Sequence, residues 1–411
     1  MSGSNAEYYP LQAAAVTACA SEMGKEGKSS GLEALRGFLC LYVLAGHARW
    51  LLWIGHAQWT QEVHHWGADA LAWMSAGLRY GHEAVMVFFA LSGFVIHRRS
   101  AAALLRGGDP RMVWREFFVR RLWRLGPPYL LALLLTVGCD WVGGVLWPEL
   151  YEAQTGDGLL DHTASGWGYG VAGVLAAACM VPGALGRGFG SNGPLWSLGC
   201  EVVYYLAYPA WLAVRRRQPL LAFGVLPLLM LLPGVSGWGW LGMTLSLYPL
   251  WILGAGLSEW DWQGVLRKRG GLLAVGSVIL GVSVWLCGGG ASGTRMCGYV
   301  ALCSGVLAWT VEGRWRGSLI VALGWLGERS YSVYVCHFPL LVLLSAFCWS
   351  RFGGRPGRGW MAVGGSIGVL GACCLLYWVC ERRVLARRVS VRCDGSGPGG
   401  SLANEAMGRG K

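Results

Sequence analysis

The chain has 411 residues, of which 54% are hydrophobic and only 14% charged, and its formal net charge is +12. Soluble domains carry about a quarter charged residues, so this composition excludes an ordinary soluble domain and, with repeated long apolar runs, indicates a polytopic membrane protein. The basic residues cluster between the apolar runs, which is a topology signal and no indication of nucleic-acid binding.

The first thirty residues are polar and mixed in charge, so residues 1–30 read as a cytoplasmic tail and not as a cleavable signal peptide. Leu35–Ile54 is the first expected span, with Arg36 at its start and His47 deep inside it. Eleven residues separate the two, about three helical turns or roughly 16 Å, so they project from nearly the same face. An ionisable side chain inside a span is costly and is a functional hypothesis by default. The partly apolar segment Trp59–Leu78 reads as an interfacial piece or outer loop, and Ala84–Ile96 as the second span. Within the second span, Gly93 lets helices approach closely and Ser92 can bond across an interface.

Residues 97–124 hold eight arginines, which places this loop and the N-terminus in the cytoplasm. Arg120, Arg121 and Arg124 cluster at the start of the third span, Leu125–Val137, which opens through Pro127-Pro128. Guanidinium forks there suit the phosphates of a nucleotide-containing donor, and they serve equally as a topology determinant. The acidic stretch 140–165 then lies outside. Tyr169–Val181 is short and rich in Gly and Ala. A full crossing would leave Arg215, Arg216 and Arg217 outside, so a re-entrant or short segment is expected.

The remaining expected spans are Leu195–Val214, Leu220–Leu232, Leu241–Leu257, Leu272–Leu286, Cys297–Val311, Tyr331–Trp349 and Met361–Val379. The fold class is therefore all-α, with about ten transmembrane helices plus that one re-entrant or short segment. Residues 31–385 form the membrane domain and both termini are cytoplasmic. Arg351, Arg355 and Arg358 fall in an outer loop, against the charge rule. Residues 386–411 read as a disordered Gly/Ser-rich tail. The 14 cysteines are dispersed, without a Cys-x-x-Cys pair, so neither a disulfide framework nor a metal site is expected.

Ser197, Glu201 and Tyr205 form one polar stripe on an otherwise apolar helix. Glu201 needs a partner, and on this topology it lies at the depth of His47, about 10 Å below the outer helix end. Tyr331, Tyr334 and His337 share a face at three-residue spacing. His56, His64 and His65 lack a ligand set and are assigned nothing.

Five stretches together resemble the acyltransferase 3 family of integral-membrane O-acyltransferases. Arg36 and His47 are similar to its R-x10-H signature and Phe88-Phe89-Ala90-Leu91-Ser92-Gly93-Phe94 to its FF-x-LSGF segment. Arg120-Arg121-x-x-Arg124 resembles its RR-x-x-R stretch, Trp196-Ser197-Leu198-x-x-Glu201 its WSL-x-x-E, and Ser330-Tyr331-x-x-Tyr334-x-x-His337 its SY-x-x-Y-x-x-H. Gly199-Cys200 departs from the polar or acidic residues that the family often has before the glutamate.

The resemblance implies transfer of an acyl group, acetyl first, from acyl-CoA to a hydroxyl of a carbohydrate or other small acceptor. It implies a multi-pass protein of the plasma or inner membrane with no permanently bound cofactor. His47 would be general base or covalent acyl relay, Glu201 would orient it, and Arg36 would stabilise the thioester oxyanion or a donor phosphate. Arg120, Arg121 and Arg124 would hold the donor phosphates, with Ser92, Trp196, Ser197, Tyr331 and His337 as substrate or supporting residues. The rival class is a proton-coupled transporter, which also uses intramembrane His, Glu and Arg, but the two similar halves of many carriers are not visible here.

Overall fold

A computed structural model describes residues 30–54, 75–107, 114–185, 188–232, 235, 237–287, 292–313 and 315–381. The expected tails before residue 30 and after 385, most of the interfacial piece, Arg111, and His56, His64 and His65 lie outside the described residues. No strand occurs among the described residues. The α-helices are α1 (Ser30–Leu52), α2 (Gly81–Leu105), α3 (Trp114–Leu146), α4 (Pro148–Tyr151), α5 (Gly158–Ala164), α6 (Val171–Ala178) and α7 (Leu195–Arg217). They continue with α8 (Leu226–Met230), α9 (Gly239–Trp262), α10 (Val265–Cys287), α11 (Ser292–Glu312), α12 (Ser318–Phe352) and α13 (Trp360–Val379).

Among the described residues, α2, α3, α9, α12 and α13 are both long and apolar enough to cross a membrane. Leu130 and Leu134 on α3, and Ile367 and Leu375 on α13, are each more than half exposed. A hydrocarbon solvent accepts such a surface, whereas water would not. α1, α7, α10 and α11 have 21 to 23 residues and match a span in length alone.

Two expected segments are short. α6 has eight residues, about 12 Å of helix, far less than a bilayer core of roughly 30 Å. It is tied to α3 by the Tyr129 hydroxyl, which donates to the Ala177 carbonyl at 2.8 Å. The expected span Leu220–Leu232 is a short apolar helix, Leu221–Met230, which opens with a π-helical turn over Leu221–Val225 and continues as α8. Its route follows from how α7 and α9 pack. Gly199 abuts Trp240, Cys200 Sγ lies 3.3 Å from Thr244 Oγ1, and Tyr204 donates to the Thr244 carbonyl and stacks on Tyr248. Numbers rise together along both helices, so they are parallel. The connection must therefore retrace α7 from Arg217 to Gly199, about 27 Å, and its described residues include this helix.

The chain divides into two compact units. The first comprises the described parts of residues 1–39, 86–105 and 250–328. Two reciprocal glycine contacts set its helix packing. A Cβ on Gly93 would fall on the Trp251 carbonyl, and one on Gly254 on the Ala90 carbonyl. Gly37 meets the Leu323 carbonyl and Gly327 the Glu33 carbonyl in the same way. Small residues at such crossings let backbones touch, the main source of helix association in lipid. At the end of α2, buried His97 lies 2.9 Å from Glu259 of α9, and Arg98 pairs with Asp261 at 3.4 Å.

The second unit comprises the described parts of residues 40–85, 106–249 and 329–411. α3 is 33 residues long, so Arg115, Arg120, Arg121 and Arg124 sit on its first turns and not in a loop. Asp140 holds the segment before α7, accepting from Tyr169 at 2.6 Å and from the Ser191 amide and hydroxyl at 2.8 and 2.5 Å. Gly190 there has φ +52°, and a Cβ would strike the Asp140 carboxylate.

Of the three arginines expected to break the charge rule, Arg351 lies on the last turn of α12, and Arg355 has partners that account for its place. Arg355 donates to Asp157 at 2.7 Å and to the carbonyls of Trp50 and Trp53 at 3.1 and 3.4 Å. It closes the C-terminal end of α1, where the helix leaves carbonyls unpaired and favours a cation.

The glycine crossings give a testable consequence. Gly93→Val and Gly254→Val should each destabilise the purified protein by about 1–3 kcal/mol or more, because the clash is with backbone. Gly138→Ala on α3, where a Cβ meets nothing within 4 Å, should leave the unfolding midpoint in detergent nearly unchanged. Equal midpoints for all three variants would show that the crossings are loosely packed.

Candidate active site

The site is built along one face of α12, within the second unit. Tyr331, Tyr334 and His337 each take a partner from a different helix. The Tyr331 hydroxyl donates to the Leu125 carbonyl of α3 at 3.0 Å. Tyr334 meets Ser197 of α7 at 2.5 Å. Both hydroxyls also reach the Pro194 carbonyl, Ser197 at 3.1 Å and Tyr334 at 3.5 Å, so either can donate to the other. His337 Nε2 lies 2.8 Å from His47 Nδ1 of α1.

Pro339 shapes this stretch. Having no N–H, it leaves the carbonyl four residues earlier, Val335, without its helical partner. Asn192 fills the gap, donating from Nδ2 to the Val335 carbonyl at 2.9 Å and to Thr136 at 3.1 Å. Asn192 is 1% exposed, and Asp140 anchors its neighbour Ser191. Sequence reasoning missed both residues. The signal was present, in a proline two positions after His337 and in the polar Ser191-Asn192 pair before the Trp-Ser-Leu stretch.

The hydrogen bonds of the two histidines fix their tautomers. His337 Nδ1 faces only carbonyl oxygens, Val333 at 3.0 Å and Tyr334 at 2.8 Å, so it carries the proton. A neutral His337 then accepts at Nε2, and His47 Nδ1 must donate to it. That leaves the lone pair of His47 on Nε2. The ring planes lie within 8° of parallel, and Phe338 and Trp50 meet the His47 ring edge-on at 5.0 and 6.4 Å. His337 is 1% exposed, whereas His47 keeps part of its surface open. His47 is thus oriented by a second histidine.

Glu201 instead bonds the Tyr205 hydroxyl, four residues along α7. Arg121 lies between two aromatic faces, 5.4 Å from the Tyr205 centroid and 5.6 Å from that of Phe117. Arg121, Tyr205 and Glu201 thus form one connected group. Arg120 is drawn into a surface pair with Glu116 at 2.9 Å. Arg124 is half-buried and makes no hydrogen bond or ion pair among the described residues. Trp196 stacks on His82, centroids 5.9 Å apart and planes within 21°. Arg36 and Ser92 belong to the first unit, where Arg36 lies 3.5 Å from Glu33 and Ser92 is half-buried beside the Gly93 crossing. Among the described residues, no group of three or more His, Cys, Asp or Glu is placed to hold a metal ion.

Residues 29–378 match the family model of the acyltransferase 3 acyltransferase domain. A stretch of 144 residues is 30% identical to acyltransferase MdmB of Streptomyces mycarofaciens. That stretch is 34% of this chain and 30% of the relative, so less than a third of the relative's length is matched. No solved structure matches the chain. The family match runs from the start of α1 almost to the end of α13 and takes in every residue of the histidine pair and its supports, and on it the chain belongs to the acyltransferase 3 family.

Proposed function

We propose that this membrane acyltransferase moves an acyl group, acetyl first, from acyl-CoA to a hydroxyl of a carbohydrate or other small acceptor. One observation carries the reading: His47 and His337 form a hydrogen-bonded pair whose partners leave a lone pair on His47 Nε2. A hydroxyl is a poor nucleophile until a base takes its proton, and a neutral imidazole is suited to that task. As the hydroxyl oxygen attacks the thioester carbon, its proton passes to His47 Nε2. Collapse of the tetrahedral intermediate breaks the C–S bond, and the proton goes to the departing CoA thiolate. His47 Nδ1–H stays bonded to His337 throughout, so the ring does not turn, as the carboxylate ensures in a Ser-His-Asp triad. A covalent relay would use the same nitrogen, with Nε2 bonding the acyl carbon before the hydroxyl takes it. Rapid-quench capture of an acyl-imidazole separates the two routes.

Arg124 is the first candidate for the donor phosphates, since its guanidinium has no competing partner among the described residues. Arg121 is pre-positioned by its aromatic neighbours and adds to the same positive field. Arg36 is assigned to the donor on the family resemblance. Loop charge supports a sidedness with residues 98–121 and 215–217 in the cytoplasm and 140–165 outside. Labelling of a cysteine introduced at Arg216 by an impermeant reagent outside intact cells would overturn that sidedness.

His47→Gln should cut acyl-CoA turnover by a factor on the order of 100 to 10,000. His337→Gln should lower kcat by a factor on the order of 100, the effect of a misplaced catalytic group, and leave CoA binding intact. Glu201→Gln, one step removed through Tyr205, should slow the reaction less. A His47→Gln protein turning over near the wild-type rate would refute the mechanism.

Arg124→Ala should raise the KM for acyl-CoA with little change in kcat, since uniform binding is lost. Arg120→Ala should do so weakly, because that guanidinium is committed to Glu116. The opposite order, measured by steady-state kinetics, would move the donor site to the surface arm of the cluster.

A further inference from the structure

A second group of polar residues lies on the other side of α1 from the histidine pair. Tyr42, Gly46 and Arg49 follow one face of the helix, and the first two meet the short segment before α2. The Tyr42 hydroxyl donates to the Gly77 carbonyl, and Gly46 lies against the Leu78 carbonyl, 3.0 Å from where its Cβ would be. Arg49 is the next residue on this face, and Arg79 is among the charges that act on its guanidinium. His47 is two residues before Arg49, about 200° around the helix, so this group is separate from the base.

The arrangement is short of negative charge. The Arg49 Nε is buried and has no hydrogen-bond partner, and Arg49 forms no ion pair among the described residues. Arg79 donates to the Tyr80 hydroxyl at 2.8 Å and stacks on its ring, again with no carboxylate. Glu83 acts on the Tyr42 hydroxyl but pairs with neither arginine among the described residues. Two neighbouring cations, one with a dry unsatisfied donor, are unfavourable in a low-dielectric setting unless an anion joins them. Guanidinium forks match phosphate oxygens two at a time. Arg49 stands three residues from the end of α1, about 4.5 Å of helix, which is the level of lipid headgroups if α1 spans.

We infer that Arg49 and Arg79 form a phosphate-type oxyanion site at the C-terminal end of α1, filled either by a lipid headgroup or by a phosphate carried on a soluble molecule. The site stands apart from the acyl-transfer reading and does not depend on it.

The test uses the full chain in an uncharged maltoside detergent, with its unfolding midpoint followed by tryptophan fluorescence. Inorganic phosphate is titrated against chloride at constant ionic strength, in a parent carrying Arg124→Gln so that the donor arginines contribute less. The midpoint should rise saturably, and Arg49→Gln or Arg79→Gln should weaken the apparent affinity at least tenfold. Phosphatidylglycerol in mixed micelles provides the second arm, against an uncharged glycolipid. Stabilisation by that lipid, lost in the same variants, assigns the site to a headgroup. Stabilisation by phosphate alone assigns it to a soluble ligand. Arg79 is exposed, so Arg79→Gln reads the result even where Arg49→Gln fails to fold. No response to either anion, or responses that both substitutions leave unchanged, would overturn the inference.

Discussion

In the interior of a helical membrane protein every polar group needs a partner, because neither lipid nor packed side chains offer water's hydrogen bonds. The second unit meets that demand through α12. Its three ring side chains, Tyr331, Tyr334 and His337, cover only about 9 Å of helix, yet they join α3, α7 and α1. The carbonyl freed by Pro339 adds Asn192, and through Ser191 and Asp140 it adds the end of α3. One face of one helix thereby fixes where His47 sits and which of its nitrogens is free. The chemistry and the packing are the same set of hydrogen bonds.

That economy explains the division of labour between the histidines. A carboxylate beside His47 would hold its proton strongly and would itself need compensation for burial. A neutral imidazole orients the ring without bringing a charge into the site. His337 can play this part because the helix turns its own carbonyls toward Nδ1 and so settles its tautomer. Glu201 is bonded to Tyr205, whose ring also faces Arg121.

Much of this was legible in the chain. The all-helical membrane class, the short segment before α7, the Gly93 crossing and the three-residue spacing on α12 all follow from composition and period. The pairing of His47 with His337 did not, because matching two ionisable residues by depth alone cannot tell a carboxylate from an imidazole 290 residues away. The π turn that opens the helix at Leu221–Met230 was hidden because hydropathy does not register one. Arg355 looked like an exception to the charge rule because its partners, Asp157 and two helix-end carbonyls, are invisible to a count of basic residues. The helix that begins at Trp114 is hidden in a stretch, residues 97–124, whose charge reads as a loop.

The clasp made by Arg355 bears on how the protein is made. It closes the end of α1 with a residue 305 positions downstream of Trp50, in the turn between the last two long helices. The C-terminal end of α1 is thus fastened by a part of the chain made much later. Until that turn has been synthesised, α1 lacks both the clasp and its histidine partner, and the reactive ring has no fixed tautomer. A chain interrupted before α12 would hold many of the helices and neither the clasp nor the histidine pair.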